Sequence, residues 1–261
     1  MKPRIPKLIT ADAYGTLYAP KFSIPKQYNE VTANFGIQIP EDQLERKWLN
    51  SYHSIKKMYP NYGKAAGLTV EEFWWKILVK IYGKSETQSE MIGMIIDKLG
   101  KKESYKIFGD FVCLAKWAVR EKGIPFCLAS NADSGVTNLV IKEFGLEPFL
   151  DSDHIYLSYD LELWKPNPAF FSHIVDDQLV KLKGIHSTSP DYQEEKRKLL
   201  ESSWHIGDEY ENDVKCAMNA GMGAILVDRS ITNPELAIQK RGERFYIVNS
   251  LDKVSQIFEN S

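Results

Sequence analysis

Apolar positions along this chain follow two different rhythms. Residues 7–11 form a short apolar run that stops at the bend Asp12-Ala13-Tyr14-Gly15-Thr16, the pattern of a buried strand ending at a glycine turn. From about residue 20 to residue 105 the spacing becomes that of amphipathic helices. Leu44, Trp48, Tyr52 and Ile55 share one helical face, behind Pro40 at a position a first turn tolerates. Thr69 and Glu72 have capping-box spacing ahead of a helix through Phe73, Ile77 and Ile81 that Gly83 ends, and a third helix covers roughly 89–99 before Gly100. The aromatic positions Trp48, Tyr52, Trp74 and Trp75 have the spacing of helix core rather than of substrate contacts.

Beyond Tyr105 helices and strands alternate. The pattern predicts a helix over 111–122 capped by Gly123, a strand over 124–129 and a helix over 135–144. Further strands are predicted at 155–158, 204–207, 224–228 and 245–248. Such alternation implies a parallel sheet covered on both faces. The expectation is therefore an α/β chain: a Rossmann-like parallel sheet core made of residues 1–19 and 106–261, with an all-helical domain inserted at 20–105. The polar stretch 178–203, containing KGIHSTSPDYQEEKRK, reads as a surface insertion, and there is no internal repeat.

Composition narrows the functional classes. A chain of 261 residues suits a core plus a smaller inserted domain, and a formal charge of −2 provides no basic face for nucleic acid. Cys113, Cys127 and Cys216 stand apart in apolar runs without a CxxC pair, which predicts buried reduced thiols. No run approaches the roughly 18 apolar residues of a membrane span. The stretch before the first strand is short for a secretory signal, so a cytoplasmic protein is expected, or a mitochondrial one if a transit peptide has been removed.

Four short strings carry the candidate chemistry. In DAYGT, a carboxylate at a strand end, Asp12, is placed to attack phosphorus or carbon and so to divide one hard displacement into two, although the same string also makes a plain turn. In LASN, Ser130 and Asn131 either receive an oxyanion or cap the next helix. In WKPNPAFF, Lys165 is either an ammonium that offsets charge beside the nucleophile or a surface lysine before a helix. In HIGDEYEND, Asp208 and Asp213 join Asp12 in an oxygen-only set that suits Mg²⁺, or form a solvated acidic turn.

In this order and context the four strings resemble the motifs of the haloacid dehalogenase-like hydrolase superfamily, over about two thirds of the chain, and the helical insert stands where that family places its cap domain. The resemblance implies catalytic roles for Asp12, Lys165 and Ser130, and substrate contacts from Tyr14, Gly15, Thr16 and Asn131. It also implies Mg²⁺ bound by Asp12, the Tyr14 carbonyl and Asp208 with Asp213 in support, and a small phosphorylated substrate. Two features depart from the phosphatase pattern. Tyr14 stands where phosphatases of the superfamily carry a second aspartate, as it does in 2-haloacid dehalogenases and in a eukaryotic dehalogenase-like subgroup. Yet Gly207, Asp208 and Asp213 keep the metal-binding form of the fourth motif, Phe171 replaces a tyrosine typical of dehalogenases, and Arg46 is the candidate for their carboxylate-binding arginine. Three readings follow: a Mg²⁺-dependent phosphoryl hydrolase, a dehalogenase-type hydrolase, and a binding or regulatory protein without turnover.

Overall fold

The computed structural model describes residues 3–259. In chain order the elements are β1 (Leu8–Ala11), β2 (Tyr18–Pro20), α1 (Ile24–Thr32), α2 (Glu41–Met58), α3 (Val70–Tyr82), α4 (Glu86–Leu99), β3 (Tyr105–Ile107), α5 (Gly109–Ala115), β4 (Phe126–Ser130) and α6 (Ser134–Glu143). They continue with β5 (Ile155–Leu157), α7 (Ser158–Leu161), α8 (Ala169–Lys183), α9 (Tyr192–Glu201), β6 (Ser203–Gly207), α10 (Cys216–Asn219), β7 (Gly223–Val227), β8 (Ile238–Gly242), β9 (Phe245–Val248) and α11 (Val254–Glu259).

Seven strands form one sheet in the order β5-β4-β1-β6-β7-β9-β8. β1 lies at its centre, parallel to β4 on one side and β6 on the other. β1, β4 and β6 are buried along their whole length, as strands covered on both faces must be, which is why they read as continuous apolar runs. β4 starts two residues later than its apolar run because Pro125 has no N–H for the ladder; its carbonyl accepts from Ile9 instead (3.0 Å). Two features escape the periodicity. β8 pairs antiparallel with β9 at the sheet edge, and its sequence IQKRG, exposed from Lys240 onward, has no alternation to reveal it. β2 and β3 pair as a separate ribbon, each three residues long.

The described residues fall into two compact units. One takes its residues from 3–18, Ile107–Asn131 and 144–259, the other from Ala19–Lys106 and Ala132–Glu143. In the first, Phe170, Phe171, Ile174 and Val175 of α8 pack with Leu8, Cys127 and Ala224 of the sheet. In the second, Leu44 of α2, Phe73, Ile77 and Leu78 of α3 and Met91, Ile92 and Ile95 of α4 form a separate helical core. Trp48, Tyr52, Trp74 and Trp75 pack against that core, with Trp48 and Tyr52 stacked at 5.2 Å between ring centroids.

Local chemistry sets the helix ends. α4 starts three residues earlier than its apolar spacing indicates because Ser85 caps it, accepting from the Gln88 N–H at 3.2 Å. Thr69 and Glu72 make both bonds of the capping box, at 3.1 and 2.8 Å. α5 gives way to a π-helical turn over Lys116–Glu121, with Lys122 N–H bonded five residues back to Trp117. Cys127 and Cys216 are buried, but Cys113 is exposed, a correction to the expectation for all three. The inward face of α5 is Phe111, Leu114 and Ala115, and position 113 falls between them on the outer side. The polar stretch 178–203 is more than a surface insertion: it contains the end of α8 and all of α9, and Gln178, Leu179, Leu199 and Ser203 are buried. Among the described residues, no helix is long and apolar enough to cross a membrane.

Replacing Thr69 with alanine removes one half of the capping box and leaves the Glu72 N–H without its partner. Thr69→Ala is expected to lower stability by about 1 kcal/mol, read as a shift of the urea midpoint with an unchanged slope; an unshifted midpoint would contradict it.

Candidate active site

Ligands and reactive groups in parallel sheets collect beyond the carboxyl ends of the strands. Here the order β4-β1-β6 brings three such ends side by side. β4 ends in Ser130, β1 delivers Asp12 directly after Ala11, and β6 ends in Gly207 just before Asp208. The Asp12 N–H continues the ladder, donating to Ile206 O at 2.8 Å, so its position is set by sheet pairing.

Lys165 reaches this point from the loop after α7 and is almost fully buried. Its ammonium donates to Asp12 Oδ1 at 2.7 Å, to Asp213 Oδ1 at 2.5 Å and to the Ala129 carbonyl at 3.0 Å, which uses all three donors. The main chain of Lys165 is held in turn by Asn131. The Lys165 N–H donates to Asn131 Oδ1 (2.9 Å) while Asn131 Nδ2 donates to the Lys165 carbonyl (2.8 Å). The amide thus behaves as one more rung of strand pairing. The turn ahead of α6 is bonded by Asp133, whose carboxylate accepts from Gly135 N–H at 2.8 Å.

Asp213 lies in a π-helical turn, Tyr210–Lys215. Both of its oxygens are occupied: Oδ1 by Lys165 and by His205 Nε2 (3.0 Å), Oδ2 by the Glu209 N–H (2.9 Å). His205 is the residue that sequence reading missed. It sits inside β6, completely buried, with Nδ1 2.8 Å from the Thr10 hydroxyl. Because the Asp213 carboxylate can only accept, the ring proton belongs on Nε2 and the Thr10 hydroxyl donates to Nδ1. Phe171, fully buried, packs on that ring at 4.6 Å. A histidine directly before the Ile-Gly-Asp string is the signal that could have found it.

Asp208 is more open and is oriented by the turn after β1. Thr16 Oγ1 donates to Asp208 Oδ1 at 3.2 Å. Gly15 has φ +84°, and a Cβ there would stand 2.1 Å from Asp208 Oδ2. A Cβ on Gly207 would stand 2.2 Å from Asp213 Cγ. Both glycines are thus places where a carboxylate occupies the space of a side chain. Tyr14 is half exposed, its ring edge-on to Tyr18 at 5.9 Å. Arg46 lies on α2 and pairs with Asp42 at 3.0 Å.

One ammonium serves two buried carboxylates, and they do not share it equally. Burial opposes charge on Asp213, but Lys165 and His205 hold its carboxyl well below the usual range. Asp12 is pushed up to about 6 by burial, which outweighs Lys165 and the hydrogen bond from Ser130. Asp208 is pushed up to about 7 by burial, with Asp12 and Asp213 adding to it. Burial works against the Lys165 charge, yet Asp12 and Asp213 carry its pKa above the ordinary value; burial keeps His205 neutral by lowering its own. The site therefore carries uncompensated negative potential at Asp12 and Asp208. One oxygen from each of Asp12, Asp208 and Asp213 lies within 4.8 Å of the others. The donor set is all oxygen, and with Asp213 fully engaged it leaves two carboxylates for a cation, a number that suits a small hard ion retaining waters.

Over residues 163–254 the chain matches the family model described as HAD-hydrolase-like. The protein of Saccharomyces cerevisiae entitled "Uncharacterized protein YMR130W" is 35% identical over 230 residues, 86% of this chain and 72% of that one. The chain belongs to the haloacid dehalogenase-like (HAD-like) hydrolases. The haloacid dehalogenase-like hydrolase domain-containing protein 3 of Xenopus laevis is 24% identical to this HAD-like chain, over 85% of its length and 84% of the relative's. The solved structure of the putative HAD-hydrolase YfnB of Bacillus subtilis, bound to magnesium, superposes with a TM-score of 0.66 over 97% of this chain and 99% of that one, at 14% identity, which speaks for the shared fold.

The raised carboxyls of this HAD-like site set a sign for stability. Asp12 and Asp208 have folded-state pKa values above their unfolded value near 3.8, so their contribution is full below that value and is lost as pH rises through about 6 and 7. Asp213, with a depressed pKa, acts the other way and matters only in acid below its unfolded value. In a chelator the melting temperature should fall between about pH 5 and about pH 8, and excess divalent cation should remove that fall; a profile that is flat in chelator would contradict the assignment.

Proposed function

We propose that this HAD-like hydrolase is a Mg²⁺-dependent phosphoryl hydrolase acting on a small phosphorylated molecule in the cytoplasm, with residues 20–105 as the cap that selects the substrate. The observation that carries the proposal is the pairing of a buried ammonium with one oxygen of Asp12 beside a partly open carboxylate at Asp208. In the first half-reaction the free oxygen of Asp12 attacks phosphorus and the bond to the leaving oxygen breaks, giving an acyl phosphate on Asp12. In the second, water attacks that phosphorus, the bond to the Asp12 oxygen breaks and the carboxylate is regenerated. Lys165 keeps the attacking carboxylate ionised and in place and offsets charge on the phosphoryl oxygens, with the Ser130 hydroxyl beside it. Asp12 and Asp208 would hold Mg²⁺ together with the Tyr14 carbonyl, and Asp213 would set Lys165 without binding the ion itself. When bound, Mg²⁺ supplies Lewis-acid neutralisation of the phosphoryl oxygens.

Tyr14 limits the substrates in this reading. The residue two positions after the nucleophile would protonate the leaving oxygen and then deprotonate water, and a phenol with an ordinary pKa of about 10 is a poor base near neutrality. Loss of positioned proton transfer costs about 10²–10⁴ in rate, which favours substrates whose leaving group departs unprotonated. The same tyrosine favours a second reading, C–halogen hydrolysis through an ester on Asp12 with halide leaving unprotonated.

An aryl phosphate assayed with and without Mg²⁺, beside halide release from 2-chloropropionate, separates the readings. Mg²⁺-dependent aryl phosphate hydrolysis abolished by Asp12→Asn is expected. Halide release that needs no metal and disappears in Asp12→Asn would overturn the phosphatase reading, and Mg²⁺ binding without turnover in any arm would point to a binding protein.

Tyr14→Asp is expected to raise the rate on alkyl phosphates by about tenfold or more, while the aryl substrate gains less. Unchanged alkyl phosphate rates in a folded variant with normal Mg²⁺ binding would show that position 14 does not limit the reaction.

A further inference from the structure

Arg229 lies two residues past β7 and belongs to none of the four motifs, yet it is bound to the turn that follows the nucleophile. Its Nη2 donates to the main-chain carbonyl of Thr16 at 2.9 Å. The same guanidinium makes a forked pair with Asp110, Nη1 to Oδ2 at 2.7 Å and Nη2 to Oδ1 at 3.2 Å. Its Cζ stands 3.7 Å from the centroid of the Phe108 ring. Asp110 is anchored in turn, since Oδ2 also accepts from the Leu251 N–H at 2.9 Å. A planar fork held by a carboxylate, a ring face and a carbonyl has little freedom left. The Thr16 carbonyl is thereby pinned from outside its own turn.

Thr16 is the link to the site, because its hydroxyl donates to Asp208 Oδ1. The turn it belongs to is closed by short internal bonds, Gly15 N–H to Tyr18 O at 2.8 Å and Leu17 N–H to Ala13 O at 2.8 Å, around a glycine at φ +84°, and the next carbonyl, Leu17 O, accepts from the Phe108 N–H at 2.9 Å. Glycine resists other backbone conformations least, so these two outside bonds hold the height of this turn relative to Asp208, and the one from Arg229 falls on Thr16 itself.

We infer that Arg229 and Asp110 are positioning residues for the cation-binding arm of the site: through Thr16 they set Asp208 and the Tyr14 carbonyl in register with Asp12. The inference rests on the metal-dependent reading above. The test measures Mg²⁺ affinity of the full chain by titration calorimetry for Arg229→Met, Arg229→Lys and Asp110→Asn, with near-UV circular dichroism to establish folding and aryl phosphate turnover across Mg²⁺ concentrations. Outer-sphere support of a metal ligand is worth about 10–100-fold in affinity. The expected result is a Mg²⁺ Kd weakened about tenfold or more in Arg229→Met, with kcat recovered at saturating Mg²⁺. Arg229→Lys should be weakened less, because an ammonium can hold either the carbonyl or the carboxylate but lacks the fork. Thr16→Val should weaken binding alone but add little on top of Arg229→Met, since both act through one contact.

A purely structural role would lower the melting temperature and leave the Kd of the folded protein unchanged. Kd values within about twofold of the unsubstituted chain, fully additive effects of Thr16→Val and Arg229→Met, or loss of the fold in all three Arg229 and Asp110 variants would each overturn the inference. If the unsubstituted chain shows no saturable Mg²⁺ binding, the metal-dependent reading itself fails, and the inference falls with it.

Discussion

The arrangement depends on one buried ammonium between two buried carboxylates. An isolated charge in such a place would be expelled or neutralised. Lys165 persists there because Asp12, Asp213 and the Ala129 carbonyl take its three donors, and Asp213 persists because a histidine and a backbone N–H share the remaining load. The resulting network crosses the sheet from Thr10 on β1 to His205 on β6 and back, through Asp213 and Lys165, to Asp12 just past the end of β1. Disturbing any member exposes the others to unpaired burial, which makes the unit cooperative. Its asymmetry also has a use. Asp213, over-supplied with donors, stays ionised, while the charge on Asp12 and Asp208 is relieved only by a proton, an added cation or a reacting group.

The sheet order makes this possible. Residues separated by more than a hundred positions in the chain become neighbours because β4, β1 and β6 end side by side. The crossovers that place parallel strands beside one another are what bring Lys165 and Asp213 to the same edge.

How far the site can be read from the sequence follows from where each residue sits. Asp12, Ser130 and Asp208 are legible because each ends an apolar run at a break, where a buried strand must turn and polar groups surface. Lys165 is legible only by its company, since Lys-Pro ahead of a helix is ordinary. His205 hides inside an apolar strand, where its polar partners, Thr10 and Asp213, come from elsewhere in the fold. Arg229 is hidden for a similar reason: its partners lie 119 and 213 positions away. β8 and the ribbon β2–β3 are short and exposed or edge-placed, so hydrophobic rhythm has nothing to mark, and the exposure of Cys113 depends on which side of α5 turns inward.

Asn131 makes a different point. Its side-chain amide extends the pairing of a sheet strand by one rung, standing in for a peptide group at the place where β4 has ended. That substitution works because an amide has a donor at one corner and an acceptor at the other. Exchanging this single amide for a carboxylate, as in Asn131→Asp, would change the shape by almost nothing, yet it would set two oxygens face to face at the Lys165 carbonyl. The loop that delivers the ammonium therefore depends on one nitrogen atom remaining a donor, even though that atom touches neither carboxylate.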